Sequence, residues 1–512
     1  MSEQESAQQQ RIAELEEQLA EIRRQYDLLV RQIFGRKSEQ TPAPVPGQMD
    51  LELEAENAAI ESAPPAKPEK PKGGSKKGRK VRAALLPENL PVEETVIIPL
   101  AVQAAPERYR RISEEVVERL ERIPGKLIRL RLVRPTFVSV AEPYAAPVTA
   151  PAPPQLLPGG FFGPQFMADM TLGKYLYHQP LYRQAKGIEW ESGIKLSQAT
   201  MCQTIARIAD AVQPVVDCMA TVMWRSGRVQ MDLTPVRCLS REHDGGSFLG
   251  QMWVSAAMER GDVIYTWDKS KEAKVAERIV PDWFAGILQT DGGSEIACFL
   301  LGGKSRQRPP PDIIRAGCWA HVRRKFFQAA KDGCPLSQRL LKIINVLYRI
   351  EDEARKAELT PAPRRLLRQK RARRVISGLR RRIHATVAAV RPKTPVGKAC
   401  LYALGQWDSL QVYLEHGDVP IDNNGVENAI RPCALGKKNF LFIGDVGAGQ
   451  RSATLYSLLG SCLRRGINPR DYLHWLFEHL PTATNQTVHT LTPAAYAAMT
   501  AANVPGGQQA AA

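Results

Sequence analysis

Three acids stand where an acid is unexpected. Asp232 lies in the run VQMDLTPVRCL, between Met231 and Leu233. Asp291 closes the run AGILQTDGG, just before Gly292 and Gly293. Glu427 opens an otherwise basic helical stretch, DNNGVENAIRPCALGKKNFLF, which runs from Asp422 to Phe442. A carboxylate inside or at the end of an apolar strand is costly to bury unless it is paired or holds a metal. Phosphodiester cleavage at neutral pH calls for an activated water and a stabilised leaving oxygen, and two divalent ions about 3.5–4 Å apart supply both. Hard ions such as magnesium take oxygen ligands and keep several waters, so a few carboxylates suffice. Glu427 also has a duller reading. Asn424-x-x-Glu427 has the spacing of a capping box, in which the Glu side chain only satisfies a backbone N–H. Asp422 and Asp445 are alternatives for the third acid, and Asp244 and Asp268 are weaker alternatives for the first.

The order of elements decides whether these acids can meet. VQMDLTPVRCL, FLGQMWVSAAM and DVIYTWD read as three strands joined by turns. KEAKVAERIVPDWF reads as a helix, AGILQTDGG as a fourth strand, and IIRAGCWA as a fifth that feeds the basic helix HVRRKFFQAAK. A three-strand meander followed by crossover connections makes an α/β domain with a mixed sheet. Ribonuclease-H-like domains have this order, and in them the first and fourth strands are neighbours. Asp232 and Asp291 would then stand side by side, with Glu427 brought across by a later helix. The predicted catalytic core covers residues 226–450, with a helical insertion at about 334–407. A C-terminal helical region and tail fill residues 451–512.

The flanks have a different character. Ile12, Leu15, Leu19, Ile22, Tyr26, Leu29 and Ile33 alternate at spacings of three and four, which predicts a self-associating coiled coil over residues 1–40. Residues 41–91 form a Pro- and Lys-rich basic linker; Lys67 to Arg82 holds eight Lys or Arg and one acid. Short apolar runs over 92–150 suggest a small β-rich module. Residues 160–220 read as two helices, Phe166–Trp190 and a second beginning with Ser197 as N-cap. The Gly-containing turn between them fits a helix-turn-helix, with Gln198 to Arg207 as the reading helix, and fits a plain helix pair equally well.

Bulk properties narrow the partners. A formal net charge of +17 and a pI near 9.5 favour a polyanion, nucleic acid before a membrane surface. Runs of about 18 uncharged apolar residues are missing, so no membrane span is expected. The N-terminus has neither the basic n-region nor the apolar h-region of a secretory signal. The nine cysteines form no CxxC pair, which fits reduced thiols in a cytosol.

Seven ordered segments carry a resemblance. They are FGRKSEQ, KYLYHQPLYRQ, MDLTPV, LQTDGG, GCWAHVRRKFF, DNNGVENAIRPCALGKKNFLFIG and SATLYSLLGSC, spread over most of the chain. Together they resemble the DDE transposases of bacterial insertion sequences, specifically the IS66 family. The resemblance implies a ribonuclease-H-like fold with a helical insertion between Asp291 and Glu427. It implies Asp232, Asp291 and Glu427 as the catalytic triad, with Mg²⁺ or Mn²⁺ as two bound ions. It implies DNA as partner, both element ends and target, and small accessory proteins from the same element. The coiled coil would pair subunits, and the protein would work in the bacterial cytoplasm at the nucleoid. Two departures stand out: Leu233 replaces the family's usual Glu after the first Asp, and Gly293 replaces the usual Tyr after the second Asp-Gly. The family's Cys-pair zinc module has no counterpart, because residues 1–201 contain no cysteine, so no zinc is expected there.

Several cations fall near the acids or cluster apart from them. Cys318 and His321 have a zinc-like gap, but without a second pair they read as a packed Cys and a polar or DNA-facing His. His321, Arg323 and Arg324 are expected near the scissile phosphate. Arg431, one turn beyond Glu427, either pairs with it or binds phosphate, and phosphate is preferred. Lys437 and Lys438 read as DNA-backbone contacts. Arg364 to Arg382 holds ten Lys or Arg and no acid, so this helix, with Arg371 and Arg374, is read as a further DNA contact. Two rival functions remain: a structure-specific nuclease on the same fold, and a non-catalytic DNA-binding repressor derived from a transposase.

Overall fold

A computed structural model describes residues 125, 127–137, 148–243, 245–259, 261–293, 299, 312–331 and 333–502. The expected coiled coil, the basic linker, most of the 92–150 module and Asp244 lie outside the described residues. The 92–150 module contributes one short antiparallel pair, β1 (Thr136–Phe137) and β2 (Val148–Thr149).

The centre is a five-stranded mixed sheet. Its strands are β3 (Arg228–Leu239), β4 (Ser247–Ala257), β5 (Val263–Asp268), β6 (Gly286–Gln289) and β7 (Ile313–Ala316), in the spatial order β5-β4-β3-β6-β7. β3 pairs antiparallel with β4 and parallel with β6; β4–β5 is antiparallel and β6–β7 parallel. The β3–β4 hairpin turns through Gly245 and Gly246 at φ +85° and +71°, a region glycine enters without a Cβ penalty. A short helix, α4 (Ala273–Ile279), crosses between β5 and β6.

β3 changes character along its length. Val229, Gln230 and Met231 are all buried, as in a strand covered on both faces. From Thr234 onward burial alternates, with Val236 and Cys238 inside and Pro235 and Arg237 outside. Asp232 and Leu233 sit at the changeover, half-buried.

Helices cover the sheet. Before it come α1 (Pro164–Tyr175), α2 (Leu181–Ser192) and the 28-residue α3 (Gln198–Arg225). The single helix predicted for Phe166–Trp190 is therefore two. Pro180 lacks an N–H and disfavours helix in the residue before it, and it stands at the N-cap of α2. Ser197 caps α3 through a 3.5 Å bond from Thr200 N–H, as the sequence suggests. The stretch Gln198–Arg207 opens α3, with Met201 and Ile205 buried in the core and Arg207 bonded to the Pro158 carbonyl.

After β7 the chain is helical: α5 (Trp319–Lys331), α6 (Pro335–Lys356), α7 (Pro361–Leu367), a π-turn at Arg368–Ala372, α8 (Arg373–Ala389), α9 (Pro395–Gly405) and α10 (Trp407–Glu415). Helical structure thus extends one short helix past the predicted end near Trp407. The chain then returns through α11 (Asn424–Phe440), α12 (Val446–Arg465), α13 (Pro469–His479) and α14 (Pro493–Ala502).

Two apolar cores result. One joins β3, β4 and β5 to α1, α3, α11, α12 and α13; the other joins β6 and β7 to α5, α6, α8, α9 and α10. α12 also closes the open edge of the sheet. Ser457 and Ser461, one turn apart, accept from Tyr265 N–H at 2.8 Å and Val263 N–H at 3.0 Å on β5. Those donors would otherwise be an unpaired strand edge.

Candidate active site

Asp291 and Glu427 both approach His321, and Asp232 stands on the strand that neighbours the one before Asp291. Asp232 rides on the central strand β3, and Asp291 follows two residues after the end of β6, the strand parallel to it. Glu427 comes from the first turn of α11 and is only 5% exposed. Burial first, then the Asp291 and Glu427 charges, push the Asp232 carboxyl well above the ordinary carboxylate range. Glu427 is raised by burial too, against the pull of Arg324, with Asp422 and Asp291 adding repulsion. The Asp291 and Glu427 charges are thus felt at Asp232, and the Asp291 charge at Glu427.

Backbone groups orient two of them. Leu233 N–H donates to Asp232 Oδ1 at 2.7 Å, and Gly293 N–H donates to Asp291 Oδ1 at 2.8 Å. Leu233 and Gly293 are the two departures noted in the sequence. Each serves its acid through the main chain, which any residue type provides. Tyr402 O–H donates to the Asp291 carbonyl and fixes that turn from α9.

Glu427 does not cap its helix. The N-cap is Asn423, Asn424 is already the first helical residue, and neither acts as a side-chain cap. The capping-box register is therefore off by one residue. Glu427 turns instead toward α5. His321 Nδ1 lies 3.5 Å from Oε1 and Arg324 Nη2 lies 3.6 Å from Oε2. The first contact is an ion-pair distance without hydrogen-bond alignment, so buried Oε1 has no hydrogen-bond partner. His321 Nε2 is 4.0 Å from Asp291 Oδ2, so the imidazole bridges two of the acids. Burial holds its pKa below the ordinary value, with Asp291 pulling the other way.

Comparison with known proteins places this arrangement. Residues 159–451 match the model of the family described as "Transposase IS66 family", and residues 14–95 match one described as "Transposase C of IS166 homeodomain". The chain belongs to the IS66 family of transposases. Its relatives include the uncharacterized protein y4jD of Sinorhizobium fredii, 29% identical over 504 residues, which cover 94% of this chain and 96% of that one. The uncharacterized protein y4qI of the same organism is 30% identical over 372 residues, 71% of this chain and 67% of its own length.

On this IS66-family chain the cations expected near DNA fall into distinct settings. Arg324 faces Glu427, as above. Arg431 is half-buried one turn along α11. Arg323 donates to Asn345 Oδ1 on α6 at 3.0 Å. Lys437 reaches back to β3, donating to Thr234 Oγ1 at 3.1 Å and the Pro235 carbonyl at 3.2 Å, whereas Lys438 is exposed. In the arginine-rich helix, Arg371 pairs with Glu353 of α6 and Arg373 with Glu415 of α10; Arg374 is exposed. The acids missing from that segment of sequence arrive from neighbouring helices.

The rival acids have other duties. Asp445 caps α12 by accepting from Ala448 N–H at 2.7 Å, and Asp268 pairs with Arg278. Asp422 accepts from both the backbone N–H and the side chain of Asn424, at 3.3 and 3.2 Å. Cys318, His321 and Glu427 can each aim one ligand atom to within 4.8 Å of the others. The Cys318 thiol, pushed up strongly by burial, accepts from Asn423 N–H at 3.5 Å, which fits a packed cysteine better than a thiolate ligand.

Two buried residues close to the acids in sequence escaped the sequence reading: Gln230 and Gln289. Both are essentially inaccessible to solvent, at 1% and 0% exposure, and bonded to each other at 2.8 Å. The signal was present as a repeat, Gln-x-Asp, in both VQMDL and LQTDG.

Proposed function

We propose that this chain is a ribonuclease-H-like DDE transposase whose catalytic acids are Asp232, Asp291 and Glu427. It would cleave a DNA strand at an element end with water, leaving a 3′-hydroxyl that then attacks a phosphodiester of target DNA. One observation carries the reading: three acids from a central strand, its parallel neighbour and a later helix converge, in a chain that belongs to a transposase family. The strand order β5-β4-β3-β6-β7, three antiparallel then two parallel, supports the ribonuclease-H-like assignment.

The acids suit divalent ions. Asp232 and Glu427 lack enough opposing charge to hold their carboxyls at ordinary values, and Glu427 Oε1 is buried without a hydrogen-bond partner. Oxygen ligands of this kind favour Mg²⁺ or Mn²⁺, two ions on the family's pattern. Bound there, the ions would activate the attacking oxygen and stabilise the leaving one.

The chain's own groups do the positioning. Arg324 lies against Glu427 Oε2 and His321 near Oε1, which would steady that carboxylate. Leu233 N–H and Gly293 N–H fix the orientations of the two aspartates. Exposed cations such as Lys438 and Arg374 would attract the DNA backbone. A coiled coil over residues 1–40 would join subunits so that two ends are held together, in the bacterial cytoplasm at the nucleoid, with accessory proteins of the same element.

The test uses the protein with element-end DNA, target DNA and Mg²⁺, with the accessory proteins added. Joined products support the transposase. Cleavage without joining points to a structure-specific nuclease. DNA that is bound but never cut points to a repressor and overturns the catalytic reading.

A further inference from the structure

We propose that Gln230 and Gln289 are positioning residues: a buried amide pair that sets the register of every segment carrying a site residue. The proposal rests on the triad reading above. The two glutamines are register partners in the parallel pair of β3 and β6. Each lies two residues before an acid, Asp232 or Asp291. An extended chain returns its side chains to the same face every second residue, so a glutamine that fixes one position fixes the next on that face.

Every N–H of both amides is engaged. Gln230 Nε2 donates to Gln289 Oε1 at 2.8 Å and to the Asp422 carbonyl at 3.0 Å. Gln289 Nε2 donates to the Pro420 carbonyl at 2.8 Å and the Gly317 carbonyl at 3.1 Å. Gln230 Oε1 accepts at 3.0 Å from Val426 N–H, a first-turn donor of α11 that it shares with the Asn423 carbonyl at 3.1 Å. With all four N–H groups used, the orientation of both amides is determined by the network.

The partners are not scattered. Gly317 begins the turn into α5, which carries His321 and Arg324. Pro420, Asp422 and Val426 frame the entry to α11, which carries Glu427. One amide pair therefore joins β3, β6, the start of α5 and the start of α11. The close approach explains Gly425. A Cβ there would lie 2.5 Å from Gln230 Oε1, so a side chain at 425 displaces the amide. It also explains why Asn423 and Asn424 provide no side-chain cap for α11: Gln230 fills that role from the sheet.

Gln230→Met keeps the volume and removes the hydrogen bonds. It leaves Gln289 Oε1 and the Asp422 carbonyl without this donor, and Val426 N–H with the Asn423 carbonyl alone. Neither amide bonds to a triad acid, so the loss comes through the placement of the segments: a misplacement of about 1 Å can cost about 100-fold, the size of effect expected on kcat for strand cleavage, with Mn²⁺ affinity lowered too and KM for DNA nearly unchanged. Leu459→Ala is the control. It empties core volume on α12, away from the site, so it lowers stability but leaves Mn²⁺ affinity intact. Gly425→Ala is the second probe and does not depend on Gln230→Met folding. The Cβ clash lowers stability on either reading and outweighs alanine's helix propensity, so a merely structural role predicts lower stability alone; positioning adds loss of kcat and Mn²⁺ affinity. The measurement is Mn²⁺ calorimetry and single-turnover cleavage on wild type and all three variants, well below each melting temperature. Wild-type affinity and kcat in Gln230→Met or Gly425→Ala would overturn the proposal and leave the triad intact. A wild type that binds no Mn²⁺ and cuts no DNA would overturn the triad reading, and this proposal with it.

Discussion

Two clusters of buried charge lie in the same structure and are treated in opposite ways. In the helical region Arg368, 1% exposed, has all its needs met. Its Nε and Nη2 donate to Glu351 at 2.8 and 2.7 Å, and Nη1 reaches the Tyr413, His416 and Val419 carbonyls at 2.7, 2.8 and 2.9 Å. The Tyr413 ring stacks beneath the guanidinium. At the acid cluster the balance is left open. Glu427 Oε1 is buried with no hydrogen-bond partner, and burial raises both Glu427 and Asp232. Buried polar groups are normally satisfied, so a deficit of this kind marks a place kept ready for a ligand. The Arg368 cluster reads as architecture, and on the proposed function the acid cluster is the site.

That contrast breaks if neutralising an acid harms folding, or if neutralising Arg368 harms only chemistry. The largest effect is expected from Asp232→Asn, which should lower strand cleavage about a thousandfold or more while the protein stays folded and bound to DNA. Cleavage within tenfold of wild type would remove Asp232 from the triad. Next comes Arg368→Met. It leaves Glu351 and three carbonyls without their partner, and breaking a buried pair in this way destabilises by about 3–5 kcal/mol. Chemical denaturation checks it, and a change under 1 kcal/mol would contradict the account.

A smaller effect appears in the pH profile of metal-free protein. The Asp232 pKa is raised in the folded state, so the folded protein keeps that proton to a higher pH than the unfolded chain does. By linkage, the Asp232 contribution falls as pH rises from the ordinary carboxylate value of about 4 through the raised one. In EDTA, the melting temperature of Asp232→Asn relative to wild type should therefore climb between pH 4 and 8. A flat difference would contradict the raised pKa. The smallest effect belongs to Arg371→Ala. Its ion pair with Glu353 is exposed on both sides and screened by solvent, so the variant should melt with wild type in a thermal scan.

The sheet was legible because its signals are local. Each strand is a short apolar run bounded by turns, and their order alone restricts the topology. The two aspartates were legible because an acid among Met231, Leu233 and Leu288 contradicts its surroundings. What sequence could not give is contact at a distance. Glu353 and Glu415 neutralise the arginine-rich helix from separate helices, and a count of charges along one segment cannot see them. Lys437 belongs to β3 for the same reason. The capping box at Asn424 failed because Gln230, nearly two hundred residues away, reaches α11 first. Phe166–Trp190 had its break written plainly at Pro180, and the apolar pattern on either side obscured it.

Glu427→Gln tests the central claim most directly. The change keeps the size of the side chain and removes the negative charge that faces Asp232 and Asp291. Cleavage of element-end DNA in Mg²⁺ and DNA binding should be measured in the same samples. The account predicts a folded protein that binds the DNA as tightly as wild type and leaves it uncut. A Glu427→Gln protein that cuts at the wild-type rate would contradict it.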